Sequence, residues 1–232
     1  MDKEKQISFN IALVGNTCVG KTSLLQKLID NKFDLKKNKT LSTVGIEQFT
    51  YKTTRDGEKI KINFIDTAGQ ERYHALNWNL IKSACAFLIV FDLTDEISFD
   101  DVLYWKDQIK EHVDLQKIDL IMIANKCDLK KERKVSSKRI ENFEKKCEFG
   151  TNYLFFETSA LTGEGINECI EGLINKIMDR YEKLKDKNSI NQNIKIKHEI
   201  VKYDKKNNNN NDNNKNDDDK KKKKKSSCCI IF

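Results

Sequence analysis

Eight residues, Gly15-Asn16-Thr17-Cys18-Val19-Gly20-Lys21-Thr22, constrain this chain more than any other stretch. They match the pattern G-x-x-x-x-G-K-[ST] at every fixed position. The apolar run Ile7 to Val14 precedes them, and a helix-like segment, Lys21 to Asn31, follows. In that context the pattern is a strand, a tight loop and a helix, with backbone N–H groups converging on a polyphosphate. The glycines let the backbone curl where a side chain would block it. Lys21 is placed to reach the outer phosphates and Thr22 to offer its hydroxyl to Mg²⁺. The helix aims the positive end of its dipole at the same anion. A glycine turn between strand and helix is the plainer alternative, and Lys-Thr in register weighs against it. The loop alone leaves open which nucleotide binds, and whether the chain is a motor, a kinase or a switch.

Strand-like and helix-like segments alternate as far as residue 184. Ile7, Phe9, Ile11 and Leu13 alternate with less apolar residues, as do the residues of Lys59 to Asp66. Ala86 to Phe91 and Leu120 to Ala124 are continuous apolar runs, which suit strands buried on both faces of a parallel sheet. Val102, Trp105, Ile109 and Val113 recur at helical spacing, as do Ile166, Cys169, Ile170, Leu173 and Ile177. These apolar positions read as core. The alternation predicts an α/β fold, an open sheet with helices on both faces and a ligand at the carboxyl ends of the strands. From residue 185 to 219 the chain turns polar and rich in Asn, Lys and Asp, too poor in apolar surface to offset ordering entropy. Ile190 to Val201 keeps several isoleucines, compatible with a transient strand or a docking contact.

Charge and cysteine usage exclude several classes. The net charge is +7, but residues 205–225 hold nine lysines and four aspartates, a balance of +5 that leaves about +2 elsewhere. A nearly neutral core gives no support to nucleic-acid binding. The seven cysteines, at 18, 85, 127, 147, 169, 228 and 229, form no C-x-x-C pair. Neither a zinc site nor a disulfide framework is indicated, and a reduced, cytosolic compartment is expected. The first ten residues lack the apolar core of a signal peptide, and no apolar run is long enough to span a membrane.

Asn125-Lys126-Cys127-Asp128 directly follows the run Leu120 to Ala124. A carboxylate there can accept two N–H bonds from the guanine edge, N1 and the exocyclic amine. Adenine presents no such pair, so Asp128 rejects it by leaving a buried acceptor unpaired. N-K-x-D by itself fits a surface turn equally well. Two further segments support the nucleotide reading. Asp66-Thr67-Ala68-Gly69-Gln70 ends a predicted strand, as a Mg²⁺-holding Asp should. Thr158-Ser159-Ala160 ends another and can offer N–H groups to the guanine oxygen.

With these four elements in order, the chain resembles a small GTPase of the Ras superfamily, and most resembles the Rab family, over residues 5–182 and the last few. Ala68-Gly69-Gln70-Glu71-Arg72-Tyr73, Phe91-Asp92-Leu93-Thr94-Asp95, Ser98-Phe99 and Glu157-Thr158-Ser159-Ala160 carry the resemblance. It implies the P-loop GTPase fold, a six-stranded, mostly parallel sheet with helices on both faces, over residues 1–184. It implies GTP/GDP and Mg²⁺ as ligands. The implied nucleotide contacts are Gly15, Asn16, Thr17, Cys18, Val19, Gly20, Lys21, Thr22, Asn125, Lys126, Asp128, Ser159, Ala160 and Leu161, with Phe33 packing on the guanine face. Thr22, Thr43 and, through water, Asp66 would hold Mg²⁺. Thr43 and Gly69 would sense the γ-phosphate, and Gln70 would orient the attacking water beside Lys21. No arginine stands to act in cis, so hydrolysis is expected to be slow without an activating protein.

The implied function is a GTP-hydrolysing switch of Rab type that recruits effectors in vesicle traffic. Its implied partners are an exchange factor, an activating protein, a prenylation escort, a GDP-dissociation inhibitor and GTP-dependent effectors, with the chain itself a monomer. A Ras- or Rho-like switch at the plasma membrane, a non-hydrolysing nucleotide-binding scaffold and an ATP-dependent enzyme are the alternatives; Asp128 disfavours the last. Several residues depart from the family pattern. Ile65 replaces a tryptophan, Leu161 stands where a lysine often covers guanine, Gln48 breaks the ending expected after Thr43, and Thr17 replaces a glycine. Residues 34–42 form a longer and basic stretch.

The tail, residues 220–232, reads as a membrane anchor. Lys220 to Lys225 precede Ser226-Ser227-Cys228-Cys229-Ile230-Ile231-Phe232. Cys229 to Phe232 fits the prenylation pattern with a terminal residue that favours geranylgeranyl, and Cys228 and Cys229 resemble the doubly lipidated ends of Rabs. One lipid anchors marginally; a second, or a basic patch, makes anchoring stable. A solvated charge tract or an import-like patch is the alternative for the lysines. The expected location is the cytoplasmic face of an endomembrane or of the plasma membrane, with cycling through the cytosol.

Overall fold

The computed structural model describes residues 6–30, 46–67, 78–146 and 153–190. Its strands are β1 (Gln6–Val14), β2 (Ile46–Arg55), β3 (Glu58–Thr67), β4 (Ala86–Asp92), β5 (Asp119–Asn125) and β6 (Tyr153–Glu157). They form one six-stranded sheet in the order β2-β3-β1-β4-β5-β6. Only β2 runs antiparallel to its neighbour. The helices among the described residues are α1 (Lys21–Asp30), the single turn α2 (Trp78–Ile81), α3 (Glu96–Asp100), α4 (Val102–His112), α5 (Ser137–Lys146) and α6 (Ile166–Ile190). This is the mostly parallel α/β sheet that the alternation predicts.

Strand periodicity divides the core into two layers. From β1, Ile7, Phe9, Ile11 and Leu13 pack with Leu24 and Leu25 of α1 and with Ile170, Leu173 and Ile177 of α6. Ala12 and Val14 face the other way, into the layer holding Phe99, Trp105, Ile109 and Ile140. The continuous run in β4 is explained the same way. Ala86, Leu88 and Val90 face the first layer, while Phe87, Ile89 and Phe91 face the second. Both faces of β4 and β5 are covered, and every residue of these strands is buried. Each fully buried phenylalanine or isoleucine here contributes roughly 1.5–3 kcal/mol.

Two elements go beyond the sequence expectations. The hairpin joining β2 to β3 turns at Asp56-Gly57, both with positive φ (49° and 79°), between paired Arg55 and Glu58. That is the two-residue turn an Asp-Gly pair favours, because both positions need left-handed backbone. At the other end of the described chain, α6 continues to Ile190, past residue 184. Its anchor is Arg180, which donates to both carboxylate oxygens of buried Asp119 at 2.6 and 3.0 Å and to the carbonyls of Gln116 and Ile118. The clamp fixes α6 to the start of β5, opposite the strand ends that carry the motifs.

Strand order runs outward from β1 in both directions, to β3 on one side and β4 on the other. A crevice opens at such a switch point, beyond the carboxyl ends of the strands. The loop after β1 lies there.

Candidate functional site

The loop between Val14 and Lys21 is shaped by its glycines. Gly15 has φ 142°, and a β-carbon on it would lie 2.1 Å from the Val90 carbonyl oxygen of β4. Gly20 has φ 99°, and a β-carbon there would meet the Asn125 amide nitrogen at 2.3 Å. Both positions therefore exclude a side chain, and Cys18 between them is itself left-handed at φ 62°. The loop folds around the Lys21 ammonium, which donates to the Gly15 and Asn16 carbonyls at 2.7 and 3.0 Å. Lys21 is buried, 5% exposed. One residue on, the Thr22 hydroxyl donates to Asp66 Oδ2 at 2.5 Å. Asp66, near the end of β3, is fully buried. A hydroxyl and a carboxylate at this distance beside a phosphate cradle are hard oxygen donors of the kind Mg²⁺ takes, and they fit that ion.

The loops after β5 and β6 join the same unit. Asn125 donates from Nδ2 to the Val19 carbonyl at 2.8 Å. Its Oδ1 accepts from the Thr158 hydroxyl at 3.3 Å and from the Ala160 N–H at 3.2 Å. One buried side chain thus ties the phosphate loop to both base-side loops. Lys126, left-handed at φ 65°, reaches Asp92 at the end of β4 with a 2.6 Å ion pair. Asp128 Oδ1 accepts the Ser159 hydroxyl at 2.5 Å, and Ser159 Oγ accepts the Thr162 N–H at 3.0 Å. Leu161, 42% exposed, stands at the rim. Cys127 has its thiol pKa pushed up to about 11, by burial first and then by Glu164 and Asp128, so it stays protonated at neutral pH.

The motif residues therefore meet at one edge of the sheet: Gly15 to Thr22 after β1, Asp66 in β3, Asn125 to Asp128 at β5, and Thr158 to Leu161 after β6. Phe33, Thr43, Gly69, Gln70, Cys228 and Cys229 lie outside the described residues.

A family model, the Ras family, matches residues 10–179. The chain belongs to the Ras family. Among its Ras-family relatives, Ras-related protein Rab-27A of Rattus norvegicus is 36% identical over 191 residues, 78% of this chain and 83% of that protein. Ras-related protein Rab-3C of Bos taurus is 36% identical over 180 residues, 77% and 75% of the two chains. GTP-binding protein ypt3 of Schizosaccharomyces pombe is 34% identical over 176 residues, 76% and 78%. The chain is a Rab-like small GTPase.

Membership also throws the unread residues of this Ras-family site into relief. Arg133 holds both carboxylate oxygens of Glu157 at 2.6 and 2.8 Å and donates to the Val135 carbonyl. Glu157 immediately precedes Thr158, so the pair braces the base-side loop. The hydrogen bond to Glu157 raises the Arg133 pKa further. Gly165 allows the return of that loop, because a β-carbon there would lie 2.0 Å from the Glu157 carbonyl oxygen. Asn16 turns its side chain away from the cradle toward α4. No spacing rule connects these partners, which lie 24 residues apart for Arg133 and Glu157 and 89 for Asn16 and Trp105.

Proposed function

We propose that this protein is a GTP/GDP switch of Rab type that controls vesicle traffic from the cytoplasmic face of a membrane. The observation that carries the proposal is the single hydrogen-bonded unit in which Asn125 joins the phosphate loop to the Thr158–Ala160 loop, with Ser159 holding Asp128. A site built this way reads the base and the phosphates together. Asp128 accepts from guanine N1–H and the exocyclic amine. The Ala160 N–H, held by Asn125 Oδ1 in this structure, is the donor that would turn to the guanine oxygen, while the Ser159 N–H is held by the Glu164 carbonyl; Leu161 and Phe33 would pack against the ring. Loop N–H groups from Gly15 to Thr22 and the Lys21 ammonium neutralise the phosphates.

Thr22, Thr43 and, through water, Asp66 would hold Mg²⁺, which would supply positive charge against the phosphate oxygens. Gln70 orients the water for in-line attack. Thr43 and the Gly69 N–H contact the γ-phosphate, so its loss frees their segments, which is the switch. Without an arginine in cis, hydrolysis is slow, on the order of 10⁻⁴ s⁻¹, and an activating protein accelerates it. An exchange factor, effectors, a prenylation escort and a GDP-dissociation inhibitor complete the cycle. Residues 1–184 form the GTPase domain, 185–219 the linker and 220–232 the anchor, lipidated at Cys228 and Cys229.

The test is single-turnover hydrolysis together with localisation of the tagged full chain. Gln70→Leu is expected to lower hydrolysis at least tenfold and to hold the protein on vesicle-bearing membranes. Cys228→Ser/Cys229→Ser is expected to leave hydrolysis unchanged and to abolish membrane pelleting. Hydrolysis indifferent to Gln70→Leu, or a cysteine variant that still pellets, contradicts the corresponding part.

A further inference from the structure

Asn16 is a loop residue whose side chain serves another element. Its Oδ1 accepts the Trp105 indole N–H at 2.9 Å, and its Nδ2 donates to Asp101 Oδ2 at 2.6 Å. An indole nitrogen only donates and a carboxylate only accepts, so the amide has one orientation. Burial enforces it: Asn16 is 7% exposed and Trp105 1%. Asp101 is the joint between two helices, closing α3 through its N–H to the Ile97 carbonyl and preceding the first residue of α4. The backbone carbonyl of the same Asn16 accepts the Lys21 ammonium at 3.0 Å. A continuous path thus runs from the α3–α4 joint, through one amide, to the lysine of the phosphate loop.

Closing the loop does not require that path. Gly15 already fits against Val90, and Asn125 already holds Val19. Apolar packing at position 16 would fill the same space without fixing a direction. A buried amide with a donor-only partner on one side and an acceptor-only partner on the other specifies orientation instead, because either mismatch leaves a buried polar group unpaired.

We propose that Asp101 and Trp105 are positioning residues for the phosphate loop, acting through Asn16, so that the α3–α4 joint sets how tightly the loop holds a nucleoside di- or triphosphate. The proposal rests on the guanine-nucleotide reading given above. Neither residue acts on the phosphates directly; each fixes the side chain whose backbone carbonyl anchors Lys21. A displacement of the joint is thereby carried to the nucleotide, and nucleotide loading is carried back to the joint.

The test is the release rate of a fluorescent GDP from the full chain, with thermal melts alongside. Asn16→Asp sets two carboxylates against each other and is expected to speed release at least tenfold. Asp101→Asn keeps an acceptor oxygen and is expected to stay within about threefold of wild type. The double variant N16D/D101N restores one donor against one acceptor, and its release is expected to return to within about threefold of wild type. Trp105→Phe, which removes the N–H and keeps most of the packing, is expected to speed release about fivefold. A purely structural role would lower the melting temperature of these variants and leave release rates alone. Should Asn16→Asp fail to fold, Trp105→Phe decides by itself, and unchanged release from it overturns the proposal. So does a double variant that releases GDP as fast as Asn16→Asp. If the wild-type chain holds no GDP, the guanine-nucleotide reading fails and this proposal with it; if it holds GDP and the variants release at the wild-type rate, positioning alone falls.

Discussion

At the scale of single residues, steric exclusion and burial decide more than charge does. Gly15 is irreplaceable because its missing side chain is the space occupied by the Val90 carbonyl. Gly15→Ala is expected to cost about 3 kcal/mol or more, from strain and displaced packing, and to abolish nucleotide retention. Urea denaturation and a filter-binding assay check both effects. Burial also governs the thiols. Cys85 and Cys169 have pKa values pushed up to about 12 by desolvation, with Asp119 adding to the effect at Cys85. At pH 8 only about one in 10⁴ of such thiols is the reactive thiolate. Mass-mapped alkylation of the native chain is expected to reach exposed Cys18 while sparing Cys85 and Cys169, and all three should label after unfolding. The glycines and Asp128 were legible in sequence because their chemistry is tied to fixed spacing. Asn16 was legible as a loop residue, but its partner Trp105 read only as core, since a helical apolar stripe carries no sign of a hydrogen-bonding indole.

At the scale of elements, legibility follows burial symmetry. The continuous apolar runs of β4 and β5 announce strands covered on both faces, and both faces are indeed covered. β2 escaped because it is an edge strand, with Lys, Thr and Glu among its residues and Phe49 and Tyr51 only partly buried against the core. Its clearest trace was the Asp56-Gly57 pair, a hairpin signal once alternation is seen on both sides. The far end of α6 was hidden for another reason. Its last turns are polar, and the helix is held instead through Arg180 on Asp119. Asp119 is 1% exposed, so removing its partner leaves a buried carboxylate uncompensated. Arg180→Ala is expected to destabilise the fold by about 3 kcal/mol in urea denaturation. GDP release should change little, because the clamp lies opposite the nucleotide loops. A loss below about 0.5 kcal/mol, the size of an exposed pair, would contradict the clamp's burial.

At the scale of the whole molecule, one sheet edge gathers segments that span most of the GTPase domain, from Gly15 to Leu161. A ligand that bridges them stabilises the entire fold and not a single loop. Saturation at a thousand times Kd is worth about 4 kcal/mol. For a domain of this size that corresponds to a rise of roughly 8–16 °C in melting temperature, expected for GDP with Mg²⁺ and absent for ADP. Thermal scanning with each nucleotide, before and after chelation, measures it. The order of the motifs was open to sequence reading, because each stands at or beside the carboxyl end of a strand that apolar patterning or position announced.

The most direct measurement is competition of GDP, xanthosine diphosphate and ADP for the wild-type chain and for Asp128→Asn. Two charge-assisted hydrogen bonds at roughly 2 kcal/mol each give wild type about a 10³-fold preference for GDP over ADP. Asn at this position offers a donor where guanine also donates and where xanthine carries a carbonyl. Asp128→Asn is therefore expected to lose GDP affinity by at least a hundredfold and to prefer xanthosine diphosphate. Equal wild-type affinity for GDP and ADP, or an Asp128→Asn variant that still prefers GDP, would contradict the assignment of this site to guanine.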